Sequence, residues 1–368
     1  MNLFRKKKNK TVYIGLSGGV DSAVSAALLK DDGYNVVTCF IKTWAPDGYL
    51  CPTETDKFES MRVAAHLRIP WIEIDATDAY KKNVAEYMLN EYKNGRTPNP
   101  DVFCNTTVKF GTFYDIAIQK GADYVATGHY AKTSPDLSAT LPLLRGGIKG
   151  KVLRKAIDPS KDQTYFLWNV AYQKLQKTLF PIGNLPKTRV RKLAKKYKLP
   201  NAERPDSQGV CFLGPIDMKS FIKDMLHTEI GNVLDINGDT IGTHDGSILY
   251  TIGERHGFSV NNNAGIPYFV VDKNIENNTI TVSNNPKEKK FEKDIYIQSE
   301  NWLPKRPDEN QIIDAVFRYH GETYKIKLGR DNKINFQNES TTPAEGQSVV
   351  FYSGEQCLGG GIVSYKKL

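Results

Sequence analysis

One short segment limits what this chain can fold into more than any other. Ser17-Gly18-Gly19-Val20-Asp21-Ser22 lies directly between a β-branched run and an alanine- and leucine-rich stretch. Thr11 to Leu16 reads as a buried strand and Asp21 to Lys30 as a helix. Glycines at a strand-to-helix turn let the backbone bend sharply and approach a ligand with no Cβ in the way. The helix that follows offers unpaired N–H groups and the positive end of its dipole. Together these form an anion cradle suited to phosphate. Asp21 is placed to hold a magnesium ion against phosphate oxygens, with Ser17 and Ser22 as further hydrogen-bond donors. No lysine follows the glycines as a Walker loop requires, and the spacing is not that of the dinucleotide fingerprint.

The pattern around this loop continues in the same style. Asn35 to Lys42, Trp71 to Asp75 and Asp123 to Thr127 read as strands. Thr55 to Leu67, Thr77 to Lys93 and Lys109 to Lys120 read as helices. Strands alternating with helices predict an α/β fold with a parallel sheet covered on both faces and the ligand beyond the C-terminal strand ends. Ser134 to Gly150 reads as a loop. Pro186 to Tyr197 reads as a helix whose outer face carries Arg189, Arg191, Lys192, Lys195 and Lys196, either a solvated face or a phosphate-backbone contact. Beyond about residue 230 short strands take over, at Ile280 to Ser283, Ile312 to Tyr319, Thr323 to Leu328 and Ser348 to Tyr352. Asn237-Gly238 and Asp245-Gly246 are hairpin signals between them. The division expected is a catalytic domain over 1–220, a central β-rich domain over 221–290 and a C-terminal β-barrel over 291–368, with Asn284 to Lys293 as the linker.

Net charge is +9, which suits a polyanionic partner. No run of about 18 apolar residues exists to span a membrane. Met1 to Lys10 is basic and leads into a strand, unlike a secretory signal. The five cysteines, Cys39, Cys51, Cys104, Cys211 and Cys357, include no C-x-x-C pair, so the expectation is reduced thiols in a cytoplasmic protein with no zinc site.

Two of these cysteines stand in suggestive surroundings. Cys104 follows the proline-stiffened loop Arg96 to Asp101 and stands near the start of a predicted helix, where a thiolate is favoured. Asp101, three residues earlier, is placed to exchange protons with a bound substrate. Cys211 lies in the polar loop Pro205 to Phe212, from which it can reach another site, carry a persulfide or simply pack.

The glycine loop resembles that of the pyrophosphatase-loop ATPases, which split ATP between the α and β phosphates. The chain as a whole resembles the bacterial and organellar tRNA-specific 2-thiouridylases. The matching segments are Gly15 to Ser22, Arg96 to Lys109, Ala126 to Tyr130, Lys161 to Phe166, Phe180 to Gly183, Asp206 to Phe212, Tyr250 to Gly257, Gly346 to Tyr352 and Cys357 to Gly361, in order along nearly the whole chain. The resemblance implies ATP binding by Gly15, Leu16, Ser17, Gly18, Gly19, Val20, Asp21 and Ser22, with Ile41 beside the adenine and Gly128 as a second nucleotide contact. It implies tRNA contacts at Asn99, Pro100, His129, Lys161, Asp162, Gln163, Arg318, Tyr319 and Gln347. Cys104 matches the nucleophile, Cys211 the persulfide carrier, and Asp101 belongs to the stretch around the target base.

The chemistry implied is adenylation of the 2-carbonyl oxygen of the wobble uridine, at position 34 of the tRNAs for lysine, glutamate and glutamine. Persulfide sulfur then replaces that oxygen, with magnesium on the ATP and a cysteine desulfurase or relay protein as sulfur source. An iron–sulfur cluster on Asp101, Cys104 and Cys211 is the alternative sulfur route. Two rivals share some features: another pyrophosphatase-loop enzyme, which needs neither cysteine, and a non-catalytic RNA-binding protein. Glu254 departs from the pattern, since the family usually has glutamine there, and the loop after Tyr130 is long.

Overall fold

The computed structural model describes residues 10–46, 53–135, 150–206, 217–261, 265–285, 294–338 and 340–367. Strand β1 (Thr11–Gly15) is followed by helix α1 (Val20–Asp31), strand β2 (Asn35–Lys42), helix α2 (Thr53–Leu67) and strand β3 (Trp71–Asp75). Strand β4 (Tyr124–Ala126) and the short strand Thr178–Leu179 complete a parallel sheet in the order β3, β2, β1, β4, Thr178–Leu179. The order reverses between β1 and β4, so the crevice at their C-terminal ends is the expected ligand position. The glycine loop leaves β1 there, and Thr127-Gly128-His129 leaves β4.

The two faces of the sheet are covered by different residues of the same strands, because successive side chains point to opposite sides. Val12 and Ile14 of β1 join one core with the buried Ala23, Val24 and Ala27 of α1 and with Val190, Leu193 and Ala194 of the Lys187–Lys196 helix. Small alanine side chains on α1 let that basic helix lie close against it. Tyr13 faces the other core, where Val102, Cys104, Val108, Phe110 and Phe113 pack. These belong to a continuous helical stretch, Pro100–Phe103, Cys104–Phe113 and Tyr114–Gln119, whose middle portion is wound with wide π-type turns. Pro100 stands in the first turn, where its missing N–H costs nothing. Wide turns are rare in proteins and concentrate at functional sites. The helix thus begins nine residues earlier than the periodicity from Lys109 indicated. Proline at its start, which read as loop chemistry, is the first-turn residue.

The remaining strands form two further sheets. Phe258–Val260, Thr240–His244, Gly231–Leu234, Thr279–Ser283 and Phe269–Asn274 pair in that order in the central region. Asn237 and Gly238 turn the chain between Gly231–Leu234 and Thr240–His244, as the dipeptide predicts. Asp245-Gly246 does not make a hairpin. Gly246 Nα–H donates to His244 Nδ1 at 2.9 Å and the chain enters the 3₁₀ turn Ser247–Leu249, because Thr228 Oγ1 holds the Asp245 carbonyl.

The third sheet holds Ile334–Phe336, Thr323–Leu328, Ile313–Val316, Ser348–Ser353 and Gln356–Ser364, with Tyr296–Trp302 also on Gln356–Ser364. The strand expected over 312–319 is shorter, ending at Val316. Two strands from the first half, Ala131–Pro135 and Lys151–Lys155, pair with each other and extend this sheet beside Gln356–Ser364. Ser134 and Pro135, read as loop, are therefore strand, and residues 136–149 lie outside the described residues. Also outside are Met1 to Asn9, Cys51 and most of the linker expected at Asn284 to Lys293. Among the described residues no helix is long and apolar enough to cross a membrane.

Candidate nucleotide and acceptor site

The glycine loop closes on itself. Ser22 Oγ accepts from Ser17 Nα–H at 3.3 Å and donates to the Gly19 carbonyl at 3.1 Å, while Gly19 Nα–H donates to Ser17 Oγ at 3.4 Å. The two hydroxyls expected to face a ligand are used first to shape the loop. Gly18 adopts φ +77°, a left-handed conformation that favours glycine. Its carbonyl is gripped by Asn201 Nδ2 at 2.7 Å and Arg204 Nη1 at 3.2 Å. Gly19 forms the N-terminal boundary of α1, and no side chain caps that end. An uncapped helix N-terminus behind a glycine turn is the geometry that accepts phosphate oxygens.

The other nucleotide residues converge on this loop. Leu16 is buried and its Nα–H donates to the Cys39 carbonyl at 2.8 Å, pinning the start of the loop to β2. Val20 packs into the core below. Ile41 lies against Gly15: a Cβ added at Gly15 would stand 3.8 Å from Ile41 Cδ1. Gly128 packs directly on the loop, since a Cβ there would meet Ser22 Nα at 2.7 Å and Ser22 Cα at 2.9 Å.

Asp21 is the most heavily engaged member. Lys187 Nζ donates to its two carboxylate oxygens at 2.8 and 2.9 Å, and Tyr130 Oη donates to Oδ1 at 2.9 Å. Burial, reinforced by the Asp21 charge, raises the Tyr130 phenol far above its ordinary range, so it stays a donor. Tyr130 is held by Gln163, whose Oε1 accepts from Tyr130 Nα–H at 2.9 Å. Asp21 offers one hard oxygen donor of the kind magnesium takes, and bound phosphate would supply others. Among the described residues no group of three or more Asp, Glu, His or Cys surrounds a position that could hold a metal by itself.

Lys187 also contacts Asp206, at 2.7 Å, where Lys161 at 3.1 Å and Arg191 at 2.5 Å converge as well. Burial acts to raise the Asp206 carboxyl, but hydrogen bonds from Lys187 and Lys161 outweigh it and bring the group down to about 2. Neither Lys187 nor Tyr130 was among the sequence-derived site residues. Tyr130 closes the segment Ala126 to Tyr130, so its chain position was visible but its reach across 109 residues to Asp21 was not.

The residues expected around the acceptor lie on the opposite face of the sheet. Cys104 is fully buried at the start of the wide-turn segment. Asn105 Nδ2 ties that segment to the Asp101 carbonyl at 3.0 Å and the Phe166 carbonyl at 3.3 Å. Asn99 Oδ1 accepts from Ser348 Nα–H at 2.5 Å, and Thr97 Nα–H donates to the Glu345 carbonyl at 2.8 Å. Gly346 fits against Arg96 and Thr97, where a Cβ would come within 2.8 Å of Arg96 Cβ. The stretch around Asn99, Pro100 and Asp101 is thereby fixed to the C-terminal sheet beside Gln347. Tyr165 Oη donates to the Ser348 and Phe317 carbonyls at 2.9 and 3.2 Å, and Tyr319, partly exposed next to Arg318, has its ring 4.5 Å from that of Phe166.

Like Asn99 and Lys161, further residues of the expected tRNA set, Asp162, Gln163 and His129, are engaged within the protein. Asp162 accepts from Ala156 Nα–H at 2.8 Å and Thr164 Oγ1 at 2.7 Å. Gln163 holds Tyr130, as above. His129 is buried between Phe110 and Phe180 with Nδ1 2.8 Å from Thr127 Oγ1, and burial lowers its pKa well below the ordinary value. Glu254 is also satisfied: Oε2 accepts from Thr251 Nα–H at 3.0 Å and Oε1 pairs with Lys219, which balances the charge a glutamine would lack. Cys211, with Ser207 to Phe212, lies outside the described residues.

A parallel sheet whose switch point carries an uncapped, glycine-turned helix N-terminus, followed by two β-rich regions, defines a nucleotide-handling α/β domain with accessory β domains. Family models divide the chain in the same order. Residues 10–215 match a tRNA methyl transferase HUP domain, 219–284 a tRNA methyl transferase PRC-barrel domain, and 292–363 an aminomethyltransferase beta-barrel domain. The chain is 39% identical over 367 residues to the tRNA-specific 2-thiouridylase MnmA of Oceanobacillus iheyensis, covering 98% of this chain and 96% of that protein. It is 38% identical over 370 residues to the protein of the same name in Bacillus subtilis, covering 98% and 96%. The chain belongs to the tRNA-specific 2-thiouridylase family.

Proposed function

We propose that this protein is an ATP-dependent tRNA-uridine 2-sulfurtransferase. The observation that supports this reading is the phosphate cradle at the switch point of the sheet, with the Cys104-bearing helix packed against the strand that leads into it. The phosphate cradle opens at the switch point, and the helix that begins at Pro100 and carries Cys104 packs its Phe113 against Gly15, 3.6 Å from where a Cβ would stand. Near-full-length likeness to proteins named tRNA-specific 2-thiouridylase supplies the substrate class.

The carbonyl oxygen at position 2 of a uracil is a poor leaving group. Attack by that oxygen on the α phosphorus of ATP makes an adenylate ester and expels pyrophosphate. The glycine loop and α1 N-terminus then stabilise charge on the departing phosphates. Asp21 would hold magnesium, which supplies charge neutralisation on the phosphates. Ile41 and Gly128 flank the nucleotide. A persulfide sulfur on Cys211 attacks the activated carbon and AMP leaves. Cys104 attacks the sulfur–sulfur bond, and a disulfide with Cys211 closes the cycle until an external thiol reduces it. Asp101 carries the proton of the target base. The base is turned out of the anticodon stack, as enzymes acting on bases require. Asn99, Pro100, Arg318, Tyr319 and Gln347 form the grip on the anticodon arm, joined by the basic face of the Lys187–Lys196 helix. A cysteine desulfurase or relay protein delivers sulfur, in the cytoplasm, and the domains act as catalytic (1–220), central (221–290) and C-terminal (291–368) units.

The test is incubation with ATP, magnesium, a sulfur donor and unmodified tRNAs for lysine, glutamate and glutamine. The expected product is 2-thiouridine at position 34 with AMP and pyrophosphate. Unmodified tRNA in the presence of an active donor contradicts the reading. Iron content of anaerobically purified protein separates the persulfide route from an iron–sulfur cluster on Asp101, Cys104 and Cys211.

A further inference from the structure

Gly18 and Gly19 stand side by side in the phosphate cradle, and neither has a Cβ to limit rotation of the peptide that joins them. In a trans peptide the carbonyl and the N–H point in opposite directions. One orientation of this unit therefore offers phosphate a donor, and the other offers an oxygen that repels it. We propose that Asn201 and Arg204 are positioning residues that lock the Gly18–Gly19 peptide with its N–H toward the phosphates. This inference rests on the ATP reading above and adds to it the contact that sets the cradle.

The lock is built on the Gly18 carbonyl. Asn201 Nδ2 donates to it at 2.7 Å and Arg204 Nη1 at 3.2 Å. Asn201 is only 3% exposed, so water does not compete for its bond. The other orientation of its amide would bring two oxygens together, so nitrogen is the atom on the carbonyl. Across the peptide, Gly19 Nα–H donates to Ser17 Oγ at a long 3.4 Å, a bond that a charged phosphate oxygen can replace.

Both donors come from one braced turn. Arg204 Nα–H donates to the Asn201 carbonyl at 3.0 Å, and Ala202 Nα–H to that of Leu199 at 3.1 Å. Arg191 Nη1 closes on the Ala202 and Arg204 carbonyls, at 3.1 and 2.6 Å. Leu199 anchors the turn in the core shared with α1. The Arg204 guanidinium is itself fixed by the Asp56 carboxylate, which balances its charge. It therefore serves the loop as a hydrogen-bond donor rather than as free positive charge. Gly18 fits tightly among these groups, since a Cβ there would meet the Asp56 carbonyl at 2.6 Å and Arg204 Nη1 at 2.9 Å.

Flipping the peptide rotates ψ of Gly18 and φ of Gly19. Gly19 has φ −79°, which suits any residue, but the flipped value is positive and favours glycine. Gly19→Ala therefore opposes the flip from inside the loop, as Asn201 and Arg204 oppose it from outside. Its added methyl group would stand 3.4 Å from Ser17 Oγ, an ordinary contact.

The test measures binding of ATP, inorganic pyrophosphate and AMP to the full-length protein and its variants by calorimetry at one magnesium concentration. Asn201→Leu keeps the shape and removes the donor. It is expected to weaken ATP and pyrophosphate by about fivefold to tenfold, with AMP changed less than about twofold. In protein already carrying Gly19→Ala, the same substitution is expected to cost ATP less than about threefold, because the flip is already opposed. Equal loss for ATP and AMP, no loss for any ligand, or the same loss in both backgrounds overturns the proposal. If Gly19→Ala alone abolishes ATP binding, Arg204→Lys supplies the second background. There Asn201→Leu is expected to cost ATP more than in the native protein, since the other donor is already weakened, and an equal cost overturns the proposal. If the leucine protein lacks the native unfolding transition, Asn201→Ala is measured instead under the same requirements. Native protein that binds none of the three ligands refutes the ATP reading itself, a result distinct from failure of the lock.

Discussion

The ATP side and the acceptor side of the sheet are built by different physics. On the ATP side a hexapeptide is shaped by its own hydroxyls and then wired by side chains from far along the chain: Lys187, Tyr130, Asn201 and Arg204. On the acceptor side Cys104 is sunk in apolar packing, and its neighbourhood is held by backbone contacts to the C-terminal sheet through Thr97, Asn99 and Tyr165. Charged contacts can exchange one anion for another when phosphate arrives. Apolar packing around a thiol cannot exchange partners in this way, and it must open or be approached along the wall formed by the barrel. The two sides should therefore fail separately when altered.

The largest separation is expected from Cys104→Ser. Thiouridine formation should fall by more than about a thousandfold, as when a nucleophile is removed, while ATP affinity stays within about twofold. Mass spectrometry of digested tRNA beside calorimetry would show the split, and equal loss of both would merge the two sides into one unit. Gly128→Ala should do the reverse. Its methyl group must push into the Ser22 backbone at 2.7 Å, so ATP affinity should fall at least about tenfold and stability by about 1–3 kcal/mol. Unaltered ATP affinity in that variant would remove Gly128 from the nucleotide site.

Tyr130→Phe deletes one hydrogen bond to Asp21 and leaves the acceptor side untouched. A loss of about 1 kcal/mol, near fivefold in ATP affinity, is expected with tRNA affinity unchanged. A drop in tRNA affinity alone would instead put Tyr130 on the acceptor side.

The smallest effect is a pH dependence of stability. Folding keeps His129 neutral because burial lowers its pKa, whereas the unfolded chain takes up a proton near pH 6.5. Stability from this residue is complete above about pH 6.5 and is lost as pH falls from there toward the folded value. His129→Phe should flatten the fall of Tm between about pH 7 and 5 relative to the native protein, and an unchanged slope would assign the fall to other groups.

The two sides also differ in how legible they were from sequence. The glycine loop is local: six consecutive residues between a strand and a helix carry their own geometry, so the phosphate cradle and the parallel sheet could be read directly. Lys187 could not be read as part of it, because a lysine at a helix start looks like any solvated cation until α1 and its own helix are packed together. The segment Lys161 to Gln163 matched as a tRNA-contacting stretch, yet its Gln163 steadies Tyr130 and its Asp162 satisfies a strand end. The Gln163 partner stands 33 residues away, and the Asp162 role follows from a strand end that the sequence did not show. The strands Ala131–Pro135 and Lys151–Lys155 show the same limit. Ser134 and Pro135 read as loop, yet they pair with Val152 and Lys151, and the hairpin so formed joins the edge of Gln356–Ser364 through Arg154.

The central claim is that the loop activates the oxygen which the cysteines then help to replace. It is tested most directly by following that oxygen. tRNA carrying oxygen-18 at position 2 of the wobble uridine is thiolated in unlabelled water with ATP and a sulfur donor, and the AMP is analysed by mass spectrometry. The account predicts one labelled oxygen in AMP for each thiouridine formed. Label found in water or pyrophosphate, with unlabelled AMP, would contradict it.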